Sequence, residues 1–198
     1  MKNIHKLLLA TVISMVSASS WAIPTIVAGE TCGAPDRTAT LSSSTSCSYD
    51  SAVNFGDTDI DNIFPADSWS KVSELEDPGS FTDGAFSATA DNGWGSIPNG
   101  GTWSIDQSFW DIYDEAVISM HVGQGGGNPD AWAWLVTPET LNGSWSLSFV
   151  DGGSIKGGGL SNLKLWGRKS IAVPEPAVTS LLALGLAAMF ATRRKTKT

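Results

Sequence analysis

Between residues 116 and 122 the chain alternates, with Ala116, Ile118, Met120 and Val122 on one side and Val117, Ser119 and His121 on the other. A period of two sends successive side chains to opposite faces of an extended backbone, so this stretch predicts a strand that is at least half buried. Comparable patterns predict strands over 84–90, 101–107, 116–123, 131–137, 143–150 and 160–168. Between them stand Asn99-Gly100, Gly125-Gly126-Gly127-Asn128-Pro129, Asn142-Gly143, Asp151-Gly152-Gly153 and Gly157-Gly158-Gly159, which tolerate the backbone angles of tight reversals. Strands at this spacing, with no helices alternating between them, predict an all-β fold: a single antiparallel β-sandwich or jelly roll. Two of the strands echo each other, as Gly101-Thr102-Trp103-Ser104-Ile105 and Gly143-Ser144-Trp145-Ser146-Leu147. The Trp and the aliphatic residue of each copy are two apart and share a face, so both copies are expected to pack Trp into one core.

Upstream the pattern fades. Residues 23–51 are rich in Thr, Ser, Gly and Pro and predict a loop-rich segment with one edge strand near 38–41. A short element is expected at 69–75, followed by a turn at Asp77-Pro78-Gly79. The chain's two cysteines, Cys32 and Cys47, lie in this N-terminal region. In an oxidising compartment such a pair predicts a disulfide, and closing a loop of this length is worth ~3 kcal/mol.

The two ends are patterned differently from the body. Lys2 and Lys6 precede an apolar run over 7–18 and the small-x-small site Ser20-Trp21-Ala22, which predicts a signal peptide at 1–22 and an exported domain at 23–172. At the other end Val173-Pro174-Glu175-Pro176 leads into an apolar run over 177–191 and the cations Arg193, Arg194 and Lys195. The prolines forbid a continuous helix at the hinge, the run suits hydrocarbon, and the cations resist crossing a membrane. This order resembles the PEP-CTERM sorting signal of bacterial exosortase substrates, over 173–198. The resemblance implies export by Sec in a Gram-negative cell, transient anchoring of a C-terminal transmembrane helix in the inner membrane, processing by an exosortase, and delivery to the cell surface or extracellular matrix. It makes Pro174, Glu175 and Pro176 recognition elements for the processing enzyme. The apolar run is short against the ~20 residues of a spanning helix, which suits a disposable anchor. The stretch 99–176, closing on Leu160-Ser161-Asn162-Leu163-Lys164-Leu165-Trp166-Gly167, resembles the passenger domain of many PEP-CTERM proteins. That second resemblance implies an exported β-sandwich and supplies no catalytic residue.

Charge narrows the function classes. The chain has 12 basic and 20 acidic residues, and two of the basic ones lie in the signal and four in the tail, so 23–176 holds 6 against 20, a net of −14. Phosphate backbones repel such a body, which argues against a nucleic-acid partner. His121 is the single histidine after the signal, and the exported body has no Gly-x-Ser-x-Gly or Cys-x-x-Cys motif. A Ser-His-Asp triad is thus not expected, and His121 reads as a strand residue. Asp57, Asp59 and Asp61 share the spacing of the first half of an EF-hand loop and are a candidate calcium site, although Asn62 and Ser68 stand where the Gly and Glu of that loop belong. No other cofactor is expected. Asp106, Asp111, Asp114 and Glu115 are where a glycosidase pair would be sought. Trp94, Trp110, Trp132 and Trp134 are candidate carbohydrate-binding rings, because aromatic faces pack on sugar C–H faces. The leading expectation is a non-enzymatic exported surface or matrix protein. A lectin-like module for extracellular polysaccharide is the alternative, with a glycosidase third.

Overall fold

The computed structural model describes residues 26–50, 54–65, 69–76, 81–94, 99–123, 129–149 and 159–169. The signal peptide and sorting tail expected at the two ends lie outside them. The described body is two antiparallel sheets facing one another, each of six strands. One sheet runs β1 (Val27–Ala28), β4 (Ser44–Asp50), β10 (Ala131–Val136), β9 (Glu115–Val122), β12 (Leu160–Arg168), β5 (Ser70–Glu76); we call it sheet A. Sheet B runs β2 (Thr31–Ala34), β3 (Arg37–Leu41), β11 (Asn142–Phe149), β8 (Asn99–Ile105), β7 (Phe86–Ala88), β6 (Thr82–Asp83). All six strands expected from 84 onward are present. The sandwich core lies between the sheets, where Trp132, Trp134, Ile118 and Met120 of sheet A meet Trp103, Trp145, Leu147 and Leu41 of sheet B.

The N-terminal segment departs from expectation, for it forms β1 to β4 rather than loops. Its strand near 38–41 is no edge: β3 sits between β2 and β11. Along β3, Arg37, Ala39 and Leu41 are buried while Thr38 and Thr40 face outward. An outward face made of Thr lowers the apolar content, so composition reads as loop although the alternation is that of a strand. The expected disulfide is present and joins Cys32 of β2 to Cys47 of β4, with Cα atoms 6.0 Å apart. Because β2 belongs to sheet B and β4 to sheet A, the bridge staples the two sheets together near their β1/β2 edges.

A second layer covers the outer face of sheet A. Residues 57–63 form helix α1 (Asp57–Ile63) in place of the expected calcium-type loop. Ile60, Ile63 and Phe64 recur at helical spacing and bury against Val117, Ala131, Ala133 and Trp166. Asp57 and Asp59 lie in the first turn, where carboxylates complement the helix dipole. His121 is therefore on a covered face, and Val117 and Ser119 beside it are buried. Lys164, on the same face, donates from Nζ to Asn54 Oδ1 at 2.8 Å and to the Phe55 carbonyl at 3.0 Å, tying the chain before α1 to β12.

The repeated Gly-x-Trp motif has a structural cause. Strands β8 and β11 are antiparallel neighbours whose register sets Trp103 opposite Gly143 and Trp145 opposite Gly101. Each copy's glycine lies under the other copy's ring. A Cβ on Gly143 would stand 2.7 Å from Cε2 and Cζ2 of Trp103. A Cβ on Gly101 would stand 1.9 Å from the Thr89 carbonyl, the acceptor of the Trp145 indole N–H at 3.0 Å. Two large rings thus fit side by side because each is faced by a residue with no side chain.

At one end of the sandwich a buried clamp joins the sheets. Arg37 donates to Asp130 Oδ1 at 2.7 Å, with both side chains almost wholly enclosed. The guanidinium lies 4.7 Å over the Phe149 ring, which in turn stacks on Trp132 at 6.1 Å.

Candidate binding face and sorting signal

The tryptophans expected to form a sugar platform are placed by the sheet order. Trp132 and Trp134 do share one strand face, but that face is the inner one, and both rings are 0% exposed. Burying rings of that size contributes about 4–6 kcal/mol each before entropy. The Trp134 indole donates to the Glu30 carbonyl at 2.8 Å. These two residues are core, which corrects the expectation. Trp94 is also enclosed, edge-on to Phe81 with ring centroids 5.5 Å apart. Trp110 lies in the short helix α2 (Gln107–Trp110), half-buried, with its N–H donated to the Thr140 carbonyl at 3.1 Å. None of the four presents a free, flat ring.

The candidate calcium residues are likewise placed. On a helix, alternate residues point about 200° apart, so Asp57, Asp59 and Asp61 do not converge. Asp59 Oδ2 accepts the Gly56 N–H at 2.9 Å and Asp61 Oδ1 accepts the Trp69 N–H at 3.0 Å. Their carboxylates hold backbone around α1, and Ser68 lies outside the described residues. Among the described residues no three His, Cys, Asp or Glu side chains are grouped to hold a metal ion.

Two of the carboxylates near Trp110, Asp106 and Glu115, have local partners too, while Asp111 and Asp114 follow α2 in the turn before β9. Asp106 caps α2, accepting from the Ser108 N–H at 2.9 Å and the Ser108 hydroxyl at 2.6 Å, and these donors hold its carboxyl below the usual range. Glu115 pairs with Arg168 across β9 and β12. His121 Nδ1 lies 3.2 Å from the Ser161 hydroxyl. Burial lowers its pKa, Asp130 pulls the other way, and the charge on Lys164 adds to the lowering. A half-buried imidazole that resists protonation fits a strand residue.

What the sequence reading missed is the outer face of sheet B. Its outward positions form rows of hydroxyls and amides across the strands. One row is Thr31, Thr40, Ser146 and Gly100; the next pairs Ser144 with Thr102; a third is Asn142, Ser104, Ser87 and Thr82. Thr31 and Thr40 hydroxyls lie 3.0 Å apart, Thr89 and Thr102 2.9 Å, and Ser87 and Ser104 2.6 Å. Cross-strand hydroxyl pairs of this kind stabilise a sheet, and each pair keeps one donor and several lone pairs for a ligand or water. None of these row positions is itself charged, and the Asp91 carboxylate reaches the Gly100 end of the first row, with Oδ2 3.5 Å from where a Cβ on Gly100 would stand. The signal was present in the sequence as Ser and Thr alternating with Trp, Leu and Ala, but it reads as ordinary surface until the register lines the rows up.

At the β6–β8 end the face runs into an open cleft of about 510 Å³. Ser87, Ser104 and Asn142 belong to both, while Asp106 and Gln107 at the start of α2 form a polar wall. Leu141 also lines it and is 40% exposed. The floor is held rigidly, by Ile105 N–H to the Leu141 carbonyl and Asp106 N–H to the Ala85 carbonyl, both at 2.8 Å. The lining is neutral hydrogen-bonding groups beside an aliphatic side chain, with one carboxylate.

The fold and the C-terminal motif together describe a β-sandwich carrying a sorting signal that implies export. The PEP-CTERM protein-sorting motif matches residues 172–195, which include Pro174, Glu175, Pro176, Arg193, Arg194 and Lys195. That motif is the C-terminal signal of exosortase substrates, and it implies processing by an exosortase, with export and membrane-anchored transit before release. Comparison with curated proteins and with solved structures finds no match.

Proposed function

We propose that this chain is a non-enzymatic module displayed at the cell surface or in the extracellular matrix, exported through Sec and released from its tail by an exosortase. The observation that carries the reading is the sorting motif at 172–195 behind an acidic, disulfide-stapled sandwich. The pairing of its buried and half-buried charges supports a structural rather than a catalytic body: Arg37 with Asp130, Lys164 with Glu74 and Arg168 with Glu115. Mass spectrometry of the released protein tests it. Peptides from 23–172 are expected without any from 181–198, and Glu175→Ala is expected to leave an intact tail in the membrane fraction. An intact tail on the released wild-type protein would overturn the reading.

A second reading, binding of extracellular polysaccharide, is favoured by the hydroxyl-rich face of sheet B rather than by the tryptophans. An uncharged polyol matches donors and acceptors without having to offset a strong field.

A further inference from the structure

We infer that the cleft beside β6–β8 is a saccharide subsite and that the hydroxyl rows of sheet B extend it into a track for a neutral polysaccharide. This rests on the polysaccharide reading and adds the site and the ligand class.

Three observations converge on the cleft. Its volume, about 510 Å³, lies within the 300–1,000 Å³ of small-ligand sites. Its lining pairs an exposed aliphatic wall, Leu141, with groups that both donate and accept, namely Ser104, Asn142 and Gln107. A pyranose has that same division, with C–H groups on its faces and hydroxyls around its rim. The cleft also contains the whole row of Asn142, Ser104, Ser87 and Thr82, beyond which on the sheet face lie Ser144 and Thr102. A chain of sugars leaving the cleft therefore meets the hydroxyls of Ser144 and Thr102 and then, beside Gly100, the Asp91 carboxylate, which accepts hydrogen bonds from hydroxyls and repels anions.

Charge selects among polymers. Among the described residues the only ionised group lining the cleft is Asp106, held as an acceptor by Ser108, and the body around it carries a net −14. Uronate or sulfate polymers meet repulsion there, with no Arg or Lys among the described residues of the lining to offset it. A protein partner would call for an apolar patch, whereas among the described residues Leu141 is the one large exposed hydrophobic side chain lining this site.

Affinity electrophoresis of the exported protein, as cells release it, through gels containing neutral galactomannan, neutral β-glucan or acidic alginate tests the inference. Retardation is expected in at least one neutral gel, unchanged by added salt, and not in alginate. Asn142→Ala and Gln107→Ala each remove hydrogen bonds from the cleft wall and are expected to weaken it about 2–10-fold. Ser146→Asp places a second carboxylate near that of Asp91 on the track outside the cleft, removing a hydroxyl, and is expected to weaken it as well. Circular dichroism of each variant verifies that the fold is kept, and these exposed positions carry no core packing. Retardation that none of the three variants changes overturns the site while leaving polysaccharide binding in place. Retardation only in alginate overturns the ligand class. Absence of retardation in every gel overturns both the inference and the reading beneath it.

Discussion

Replacing Gly143 by Ala isolates the packing rule behind the repeated motif. Its backbone is not in the left-handed region, so the substitution brings no φ strain. At an unstrained position Gly→Ala usually stabilises by about 0.4–1 kcal/mol, because the unfolded chain loses entropy. Here the new methyl would stand 2.7 Å from two carbons of the Trp103 ring and 2.6 Å from Ser42 Oγ. Trp103 is enclosed in the core and has nowhere to retreat, and Ser42 Oγ is held as the acceptor of the Ser144 N–H at 2.7 Å. Overpacking of this kind costs about 1–3 kcal/mol. The net expectation is a destabilisation of roughly 1–2 kcal/mol, or about 2–8 °C in Tm for a domain of this size. Urea and thermal unfolding, with the disulfide intact, measure it. Trp103→Phe withdraws ring atoms from the contact, and the Trp103 N–H has no acceptor among the described residues to lose. The double variant should be more stable than the sum of the singles by about 1 kcal/mol, within the range of contacting pairs. A Gly143→Ala protein as stable as wild type, or more so, refutes the reciprocal Trp-over-Gly packing. Gly101→Ala should cost more than Gly143→Ala, because its new methyl meets a backbone carbonyl at 1.9 Å rather than a ring edge.

Two further outcomes are expected. Arg37→Met leaves Asp130 buried without its cation and should cost about 3–5 kcal/mol in urea unfolding, while Arg37→Met with Asp130→Leu should recover much of the loss; equal stability of the single and double variants would count against the clamp. His121, held by burial below its ordinary value of 6.5, binds a proton less readily folded than unfolded. The unfolded state then carries more protons, so stability should fall as pH drops through 6.5 and level off below the folded value. His121→Gln should flatten that part of the unfolding profile between pH 8 and 5, and an unchanged slope would remove His121 as its source.

The strands from 84 onward were legible because alternation and glycine punctuation are local properties, and β9 follows its period of two at every position. The sorting signal was legible for a similar reason: proline hinge, apolar run and basic end are read in linear order. The segment at 57–63 was misread because Asp at every second position outweighed the helical spacing of Ile60, Ile63 and Phe64. Strands β2 to β4 were obscured because their outward residues are Ser and Thr.

What the sequence determined by itself is therefore an exported, disulfide-bonded β-sandwich with a processing signal, since each of these follows from neighbours along the chain. Tertiary structure decided which faces are inside. The alternation of Trp132 and Trp134 is compatible with either side of a sheet. They are core because β10 lies between β4 and β9, with its Trp-bearing face turned toward sheet B. Burying two indoles there outweighs any use of them at the surface. The hydroxyl face arises in the same way. Residues of β2, β3, β7, β8 and β11 become neighbours through long-range register, which no local pattern encodes.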